Sequence, residues 1–411
     1  MKGSKLRLIG PFTQAITFSG LPVKGPLSDD MLEIIPRAGI LVNGNIIEAA
    51  CSFRELKSLA TVVEPVEGDY TVMPGFVDAH THICWAGSRA ADYAMRLAGK
   101  SYIEIAQQGG GIWSTVTHTR EAGEADLAKR TAGRANRLLK QGVTTIEVKS
   151  GYGLNADTEI RMLSAIRKAN SITRADLVPT CLAAHVRPKD FNGTAREYLE
   201  YVVRELLPLV KDQKLSNRVD IYIDDGAFGR EDARYYLNAA REMGFDVSVH
   251  ADQFSRGGLL LATEVGAISA DHLEASADDD IMRMAESNVI AVALPGASMG
   301  LGAAFAPARK LLNAGIAVAI ASDWNPGSAP MGNLLMQAAV LGIYEKLTMT
   351  ETLAGITFRG AAALNLHDRG ILQPGMLADF IAFPCSDYRE ILYNQGGMLP
   401  ELVWKGGVRS E

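Results

Sequence analysis

Eight short apolar runs rich in β-branched residues recur along this chain, and from about Val143 onward amphipathic helical patterns separate them at a regular beat. The spacing predicts strands at 73–82, 143–150, 177–186, 219–226, 246–251, 267–273, 289–295 and 317–323. Helical patterns fall between them, for example at 157–170, 231–243, 278–287 and 306–314, opening on the polar, acidic or proline residues that helix starts prefer. Such alternation is the signature of parallel βα units, because parallel strands need a crossover between them. Eight units predict an α/β protein built as a (β/α)8 TIM barrel, whose active site forms at the carboxyl ends of the strands.

The two ends of the chain read differently. Residues 1–72 form short strands and turns, such as Gly39-Ile40-Leu41-Val42 and Tyr70-Thr71-Val72, with no βα beat. Matching pieces, Ala378-Asp379-Phe380-Ile381-Ala382-Phe383 and Leu402-Val403-Trp404, close the chain. The expected division is therefore a small β-sandwich from 1–72 with 371–411, beside a catalytic barrel over 73–370. The long stretch 83–142, with its helix patterns and the loop Gly109-Gly110-Gly111, is expected to form a lid.

Composition narrows the function. A length of 411 residues, 47% of them hydrophobic, supports one large core with an appendage. The net charge of −6 disfavours nucleic acid or an anionic membrane as partner. Cys51, Cys84, Cys181 and Cys385 are scattered and form no CxxC, so free thiols in a reducing compartment are expected. No apolar run approaches the ~20 residues of a membrane span, and the first residues lack the apolar core of a secretory signal. A cytoplasmic enzyme acting on a small molecule is the expectation.

The histidines make it sharper. Of the seven, five fall at or beyond predicted strand ends: His80, His82, His185, His250 and His272, with Asp323 at the end of the eighth strand. In a strand, residues i and i+2 face the same way, so the pair His80 and His82 can grip one ion. Three imidazoles and a carboxylate, His80, His82, His250 and Asp323, can hold a divalent ion and leave a place for water, which the ion acidifies. Any single strand-end histidine is more often a hydrogen-bonded core residue. Five together are costly to bury without a common partner. His118 and His367 lie away from strand ends and read as surface or loop residues.

With Pro74-Gly75-Phe76-Val77-Asp78-Ala79-His80-Thr81-His82 on the first strand, His250 on the fifth, His272 on the sixth and Asp323 on the eighth, the chain resembles the amidohydrolase superfamily. Within it, the chain is similar to the imidazolonepropionase family over nearly its whole length. The carrying segments are Ala86-Gly87-Ser88-Arg89, Gly109-Gly110-Gly111-Ile112, Glu147-Val148-Lys149-Ser150-Gly151-Tyr152-Gly153-Leu154, His250-Ala251-Asp252-Gln253, Ser269-Ala270-Asp271-His272-Leu273-Glu274 and Asp323-Trp324-Asn325-Pro326-Gly327-Ser328. The carboxylated lysine that bridges two metals elsewhere in the superfamily is missing from the third and fourth strands, and Lys149, on the second, is wrongly placed for it. The resemblance thus implies one zinc or iron ion per chain.

It also implies an activity: hydrolytic ring opening of 4-imidazolone-5-propanoate to N-formimidoyl-L-glutamate, in histidine degradation. His272 and Asp323 are the expected proton-moving residues. Arg89 is expected to bind the substrate carboxylate, since an arginine fork suits that task. Tyr102, Tyr152, His185, Gln253, Asn325, Gly327 and Ser328 are implied as further substrate contacts, and a homodimer is implied as well. Two departures stand out. Gln253 replaces the glutamate of some relatives and cannot exchange a proton, and the stretch 294–301 is unusually glycine-rich. The rival reading is a one-metal deaminase of a nucleobase-like ring; such enzymes place a glutamate near the ligand histidine to shuttle protons, whereas Glu274, two residues after His272, is expected to reach the barrel face only at its edge. A non-catalytic relative would have lost ligands that are present here.

Overall fold

The computed structural model describes residues 6–100 and 102–410, leaving aside the side chains at 102, 103 and 106. Its centre is a ring of eight parallel strands: Phe76–Asp78, Val143–Lys149, Asp176–Ala184, Arg218–Ile223, Asp246–Ala251, Ser269–His272, Ile290–Ala293 and Val318–Ile320. Each pairs with its successor in the chain. The first and eighth meet just beyond their carboxyl ends, where Thr81 pairs with Trp324. There the Asp323 amide donates to the His80 carbonyl at 3.0 Å, and the His82 amide to the Trp324 carbonyl at 3.0 Å. The contacts that join these two strands therefore run through the residues of the expected metal site.

The strand expected over 73–82 is in fact two. Thr71–Pro74 belongs to the small sheet, antiparallel to Phe380–Phe383, whereas Phe76–Asp78 opens the barrel. Gly75 is the joint. Its amide donates to the Asp379 carbonyl at 2.9 Å, and a Cβ there would run into the Thr144 side chain. The division expected between 72 and 73 falls inside the strand Thr71–Pro74, because a continuous apolar run carries no sign that its pairing partner changes midway.

Both chain ends build the second sheet, in the order Val408–Ser410, Leu402–Lys405, Phe380–Phe383, Thr71–Pro74, Arg7–Ile16, Ile34–Asn43 and Ile46–Ser52, with Val62–Pro65 beside Arg7–Ile16. Phe12 and Trp404 stand on strands that are not neighbours, yet their rings meet edge to face at 5.9 Å. The sheet must therefore fold over on itself, enclosing Ile9, Phe12, Ile40, Val72, Phe380 and Trp404 in a core of its own.

Four helices fill 83–142: Ala90–Leu97, Tyr102–Gln107, Ile112–Glu121 and Glu124–Lys140. The glycine-rich stretch after the seventh strand forms the short helix Pro295–Leu301. Among the described residues, no helix is long and apolar enough to cross a membrane.

Candidate metal centre and substrate cavity

Three imidazoles converge at the carboxyl mouth of the barrel. His80 Nε2 lies 3.2 Å from His82 Nε2, which lies 3.4 Å from His250 Nε2. Asp323 Oδ1 is 3.5 Å from the first and 3.4 Å from the second. Each strand end contributes what its geometry dictates: i, i+2 alternation brings the His80 and His82 rings together, and the fifth and eighth strands add the others.

A test of the metal reading follows from the other ring nitrogens. His80 Nδ1 sits 2.6 Å from Asp271 Oδ2, and His250 Nδ1 sits 3.1 Å from Asp220 Oδ2. A neutral imidazole with its Nδ1 proton turned to a carboxylate presents a bare lone pair at Nε2. Lone pairs facing one another at hydrogen-bond distance repel unless a cation lies among them. Tetrahedral ligands at ~2.0–2.1 Å from an ion are about 3.3–3.4 Å apart. The spacings here match, so these residues fit a single divalent ion.

Electrostatics favour the same state. Burial pushes the His82 imidazole down to about 3, and that of His250 down to about 4 despite the pull of Asp220. Burial, reinforced by the Lys149 charge, also holds His80 well below the usual range. Burial pulls His272 down, but the Glu274 carboxylate, with Oε2 3.5 Å from Nδ1, together with Asp323 and Asp271 leaves that imidazole above its ordinary value. The Asp323 carboxyl is lifted by burial against the opposing pull of His272 and His250. His272 and Asp323 both adopt positive φ, 85° and 49°. That conformation is costly for residues other than glycine and clusters at functional sites.

A cavity of about 290 Å³ opens beside the imidazoles, bordered by Arg89, Tyr152, His185, Gln253, Asn325, Gly327 and Ser328 among others. The structure thus gathers the sequence-derived contacts around one space, except that the Tyr102 side chain lies outside the described residues. Arg89 is pre-oriented: Nε donates to Asp92 Oδ2 at 2.8 Å, leaving the outer nitrogens of the fork for other partners. Asp92 is held in turn by the Gly111 amide at 2.9 Å, and a Cβ on Gly110 would lie 2.6 Å from its Oδ1. The glycine loop expected to act as a flexible lid therefore cradles the residue that aims Arg89.

Several neighbours have their own supports. Glu159 accepts from the amides of Gly151, Gly153 and Leu154 at 3.0, 2.7 and 2.8 Å, shaping the loop that carries Tyr152. His185 Nδ1 pairs with the Gly151 carbonyl at 3.0 Å, and the His185 ring stacks on His82 at 5.4 Å. Asn325 is a turn former: its Oδ1 accepts from the Gly327 and Ser328 amides, and its Nδ2 donates to the Asp323 carbonyl and Ser328 Oγ. Gln253 Oε1 accepts from the Tyr222 hydroxyl at 3.0 Å. Glu274, expected to reach the barrel face only at its edge, contacts His272 and Ser298 and stands outside the cavity lining.

Sequence reasoning missed Asp92, Glu159 and the buried charges Glu147, Lys149, Asp220 and Asp271. The last four had a signal. A charged residue inside a strand that is buried on both faces must have a partner, and those strands are interrupted by such residues.

A sequence profile described as the amidohydrolase family matches residues 106–408. The imidazolonepropionase of Solibacter usitatus (strain Ellin6076) is 39% identical over 401 residues, covering 96% of this chain and 96% of that one. The chain belongs to the amidohydrolase family, among the imidazolonepropionases. The imidazolonepropionase of Myxococcus xanthus (strain DK1622) is 40% identical over 349 residues, 84% of this chain and 83% of that one. Among solved structures, a triazine hydrolase from Arthobacter aurescens superposes with a TM-score of 0.73 at 18% identity, covering 98% and 94% of the two chains. A guanine deaminase from C. acetobutylicum does so with 0.69 at 16%, covering 99% and 100%. At that identity these likenesses concern the fold alone: a barrel with a second sheet made from both chain ends.

Proposed function

We propose that this chain hydrolyses the cyclic amide of 4-imidazolone-5-propanoate to N-formimidoyl-L-glutamate, the step in histidine degradation, in the cytoplasm and as a homodimer. The observation that carries the reading is the joint presence, around one cavity, of three converging imidazoles and an arginine aimed by Asp92. The relatives named imidazolonepropionase favour the same reaction. Four free thiols suit a reducing compartment.

His80, His82, His250 and Asp323 would hold one zinc or iron ion, which when bound polarises the ring carbonyl and acidifies water. Arg89 binds the propionate arm through a charge-assisted fork, with Tyr152 bordering the same cavity, and so places the ring against the imidazoles; Tyr102 is proposed as a further partner of the carboxylate. His185, Gln253, Asn325, Gly327 and Ser328 border the ring and exclude water. Asp323, whose carboxyl burial makes more basic than usual, takes a proton from the attacking water and returns it to the ring nitrogen as the C–N bond breaks. His272 donates toward the carbonyl oxygen, on which negative charge develops. One water is consumed, the carbonyl carbon becomes a carboxylate, and no ammonia leaves.

Incubation with 4-imidazolone-5-propanoate, followed by mass and by ammonia assay, tests the reading. Formation of N-formimidoyl-L-glutamate without ammonia is expected. Ammonia released from guanine or cytosine, with the imidazolone left intact, would replace it with the deaminase.

A further inference from the structure

Beneath the converging imidazoles the barrel interior holds a closed set of charges. Lys149, buried on the second strand, donates through Nζ to Glu147 Oε1 and to Asp220 Oδ2 at 2.7 Å each, and lies 3.8 Å from Asp271 Oδ2. Two of these carboxylates are the ones against which the ligand histidines rest: Asp271 Oδ2 is 2.6 Å from His80 Nδ1, and Asp220 Oδ2 is 3.1 Å from His250 Nδ1. The third, Glu147, accepts through Oε2 from the amide of Thr81, the residue between His80 and His82, at 3.2 Å. Each of the three carboxylates thus touches a metal-ligand residue or the segment that carries one.

A carboxylate buried without a counter-charge is strongly disfavoured, and three packed together repel one another. A single ammonium group at the centre is what lets them keep fixed positions. The orientation of a ligand imidazole follows the acceptor of its other nitrogen, so fixing Asp220 and Asp271 fixes the aim of two Nε2 lone pairs on separate strands. Lysine is suited to this place, because its compact ammonium has three donors and can serve several acceptors at once.

We propose that Lys149 is the positioning residue of the metal centre, acting through Asp220 and Asp271 on His250 and His80 and through Glu147 on the His80–His82 segment. This rests on the reading of those histidines as metal ligands. Lys149 itself reaches neither the ion nor the substrate cavity, which it does not border.

The test uses full-length protein loaded with zinc or with cobalt(II). In Lys149→Met, zinc loss to a competing chelator is expected to quicken up to about 10-fold, the low end of the 10–100-fold loss of affinity that follows removal of a ligand's own partner, because Lys149 acts one step further out. The visible bands of the cobalt(II) form should shift as its ligands reorient. Circular dichroism and melting of the metal-free forms verify folding. If K149M does not fold, K149M with Glu147→Gln, which removes both ends of one ion pair together, carries the same expectation. Wild-type release rate and spectrum in a folded variant lacking Lys149 would overturn the inference alone. Wild-type protein that takes up neither metal would overturn the metal reading with it.

Discussion

A methyl group on Gly327 would lie 2.6 Å from Nη1 of Arg89, so the eighth-strand loop approaches the arginine fork as closely as a bare backbone permits. The two residues are far apart in the chain, and their contact sets the wall of the cavity where the substrate carboxylate is proposed to bind. Gly327→Ala should displace the guanidinium without touching the metal ligands. Since a hydrogen bond to a charged group contributes ~1.5–3 kcal/mol, kcat/KM for the acid substrate should fall about 10–100-fold. Metal content, measured by elemental analysis, should stay unchanged; its loss would show that the loop supports the metal site instead.

Asp92 aims Arg89 from the other side, and removing it frees the fork and the Gly111 amide together. Asp92→Ala and Arg89→Ala are both expected to raise KM for 4-imidazolone-5-propanoate. Both should matter far less for an uncharged imidazolone. Steady-state kinetics on the two substrates decide the point: equal losses on both would assign Arg89 and Asp92 to the fold rather than to carboxylate binding.

One ion per chain is expected, since the described His, Cys, Asp and Glu side chains offer a single converging group of ligands. His80→Ala or Asp323→Ala should lose metal and activity together. Two ions per chain by elemental analysis, or full activity after complete chelation, would contradict the one-metal reading. Gln253→Glu should remain active, because proton transfer is assigned to His272 and Asp323, and His272→Ala should reduce kcat by two orders of magnitude or more.

The thiols give a pH-dependent check on the barrel. Burial pushes Cys84 up to about 11 and Cys181 up to about 12, so their reactive thiolate forms are scarce at lower pH and grow only as pH nears those values. Cys385 is buried too, whereas Cys51 is partly exposed. Iodoacetamide at pH 8 should label Cys51 alone in the native protein and spare activity, as read by peptide mass. Labelling of Cys84 or Cys181 without denaturant would mean that the barrel opens readily.

The amino-acid sequence by itself determined the beat of eight βα units, and with it the barrel, because the apolar period and the helix-start residues are local signals. It pointed to the candidate ligands too, since i, i+2 spacing and strand-end placement are both local. It did not reveal that the first run changes sheets at Gly75, for a pairing partner leaves no mark on the strand it pairs with. Nor did it reveal the inner charges. His80 and Asp271 are 191 positions apart and Lys149 and Asp220 are 71 apart, and only the closing of the ring brings them within hydrogen-bond reach. Nor did it reveal that the glycine loop at 109–111 cradles Asp92, a contact made within one connection between the first two strands. Residue type and spacing chose which side chains could bind an ion; the tertiary structure decided where each one points, because a side chain's aim is fixed by neighbours that only the folded barrel supplies.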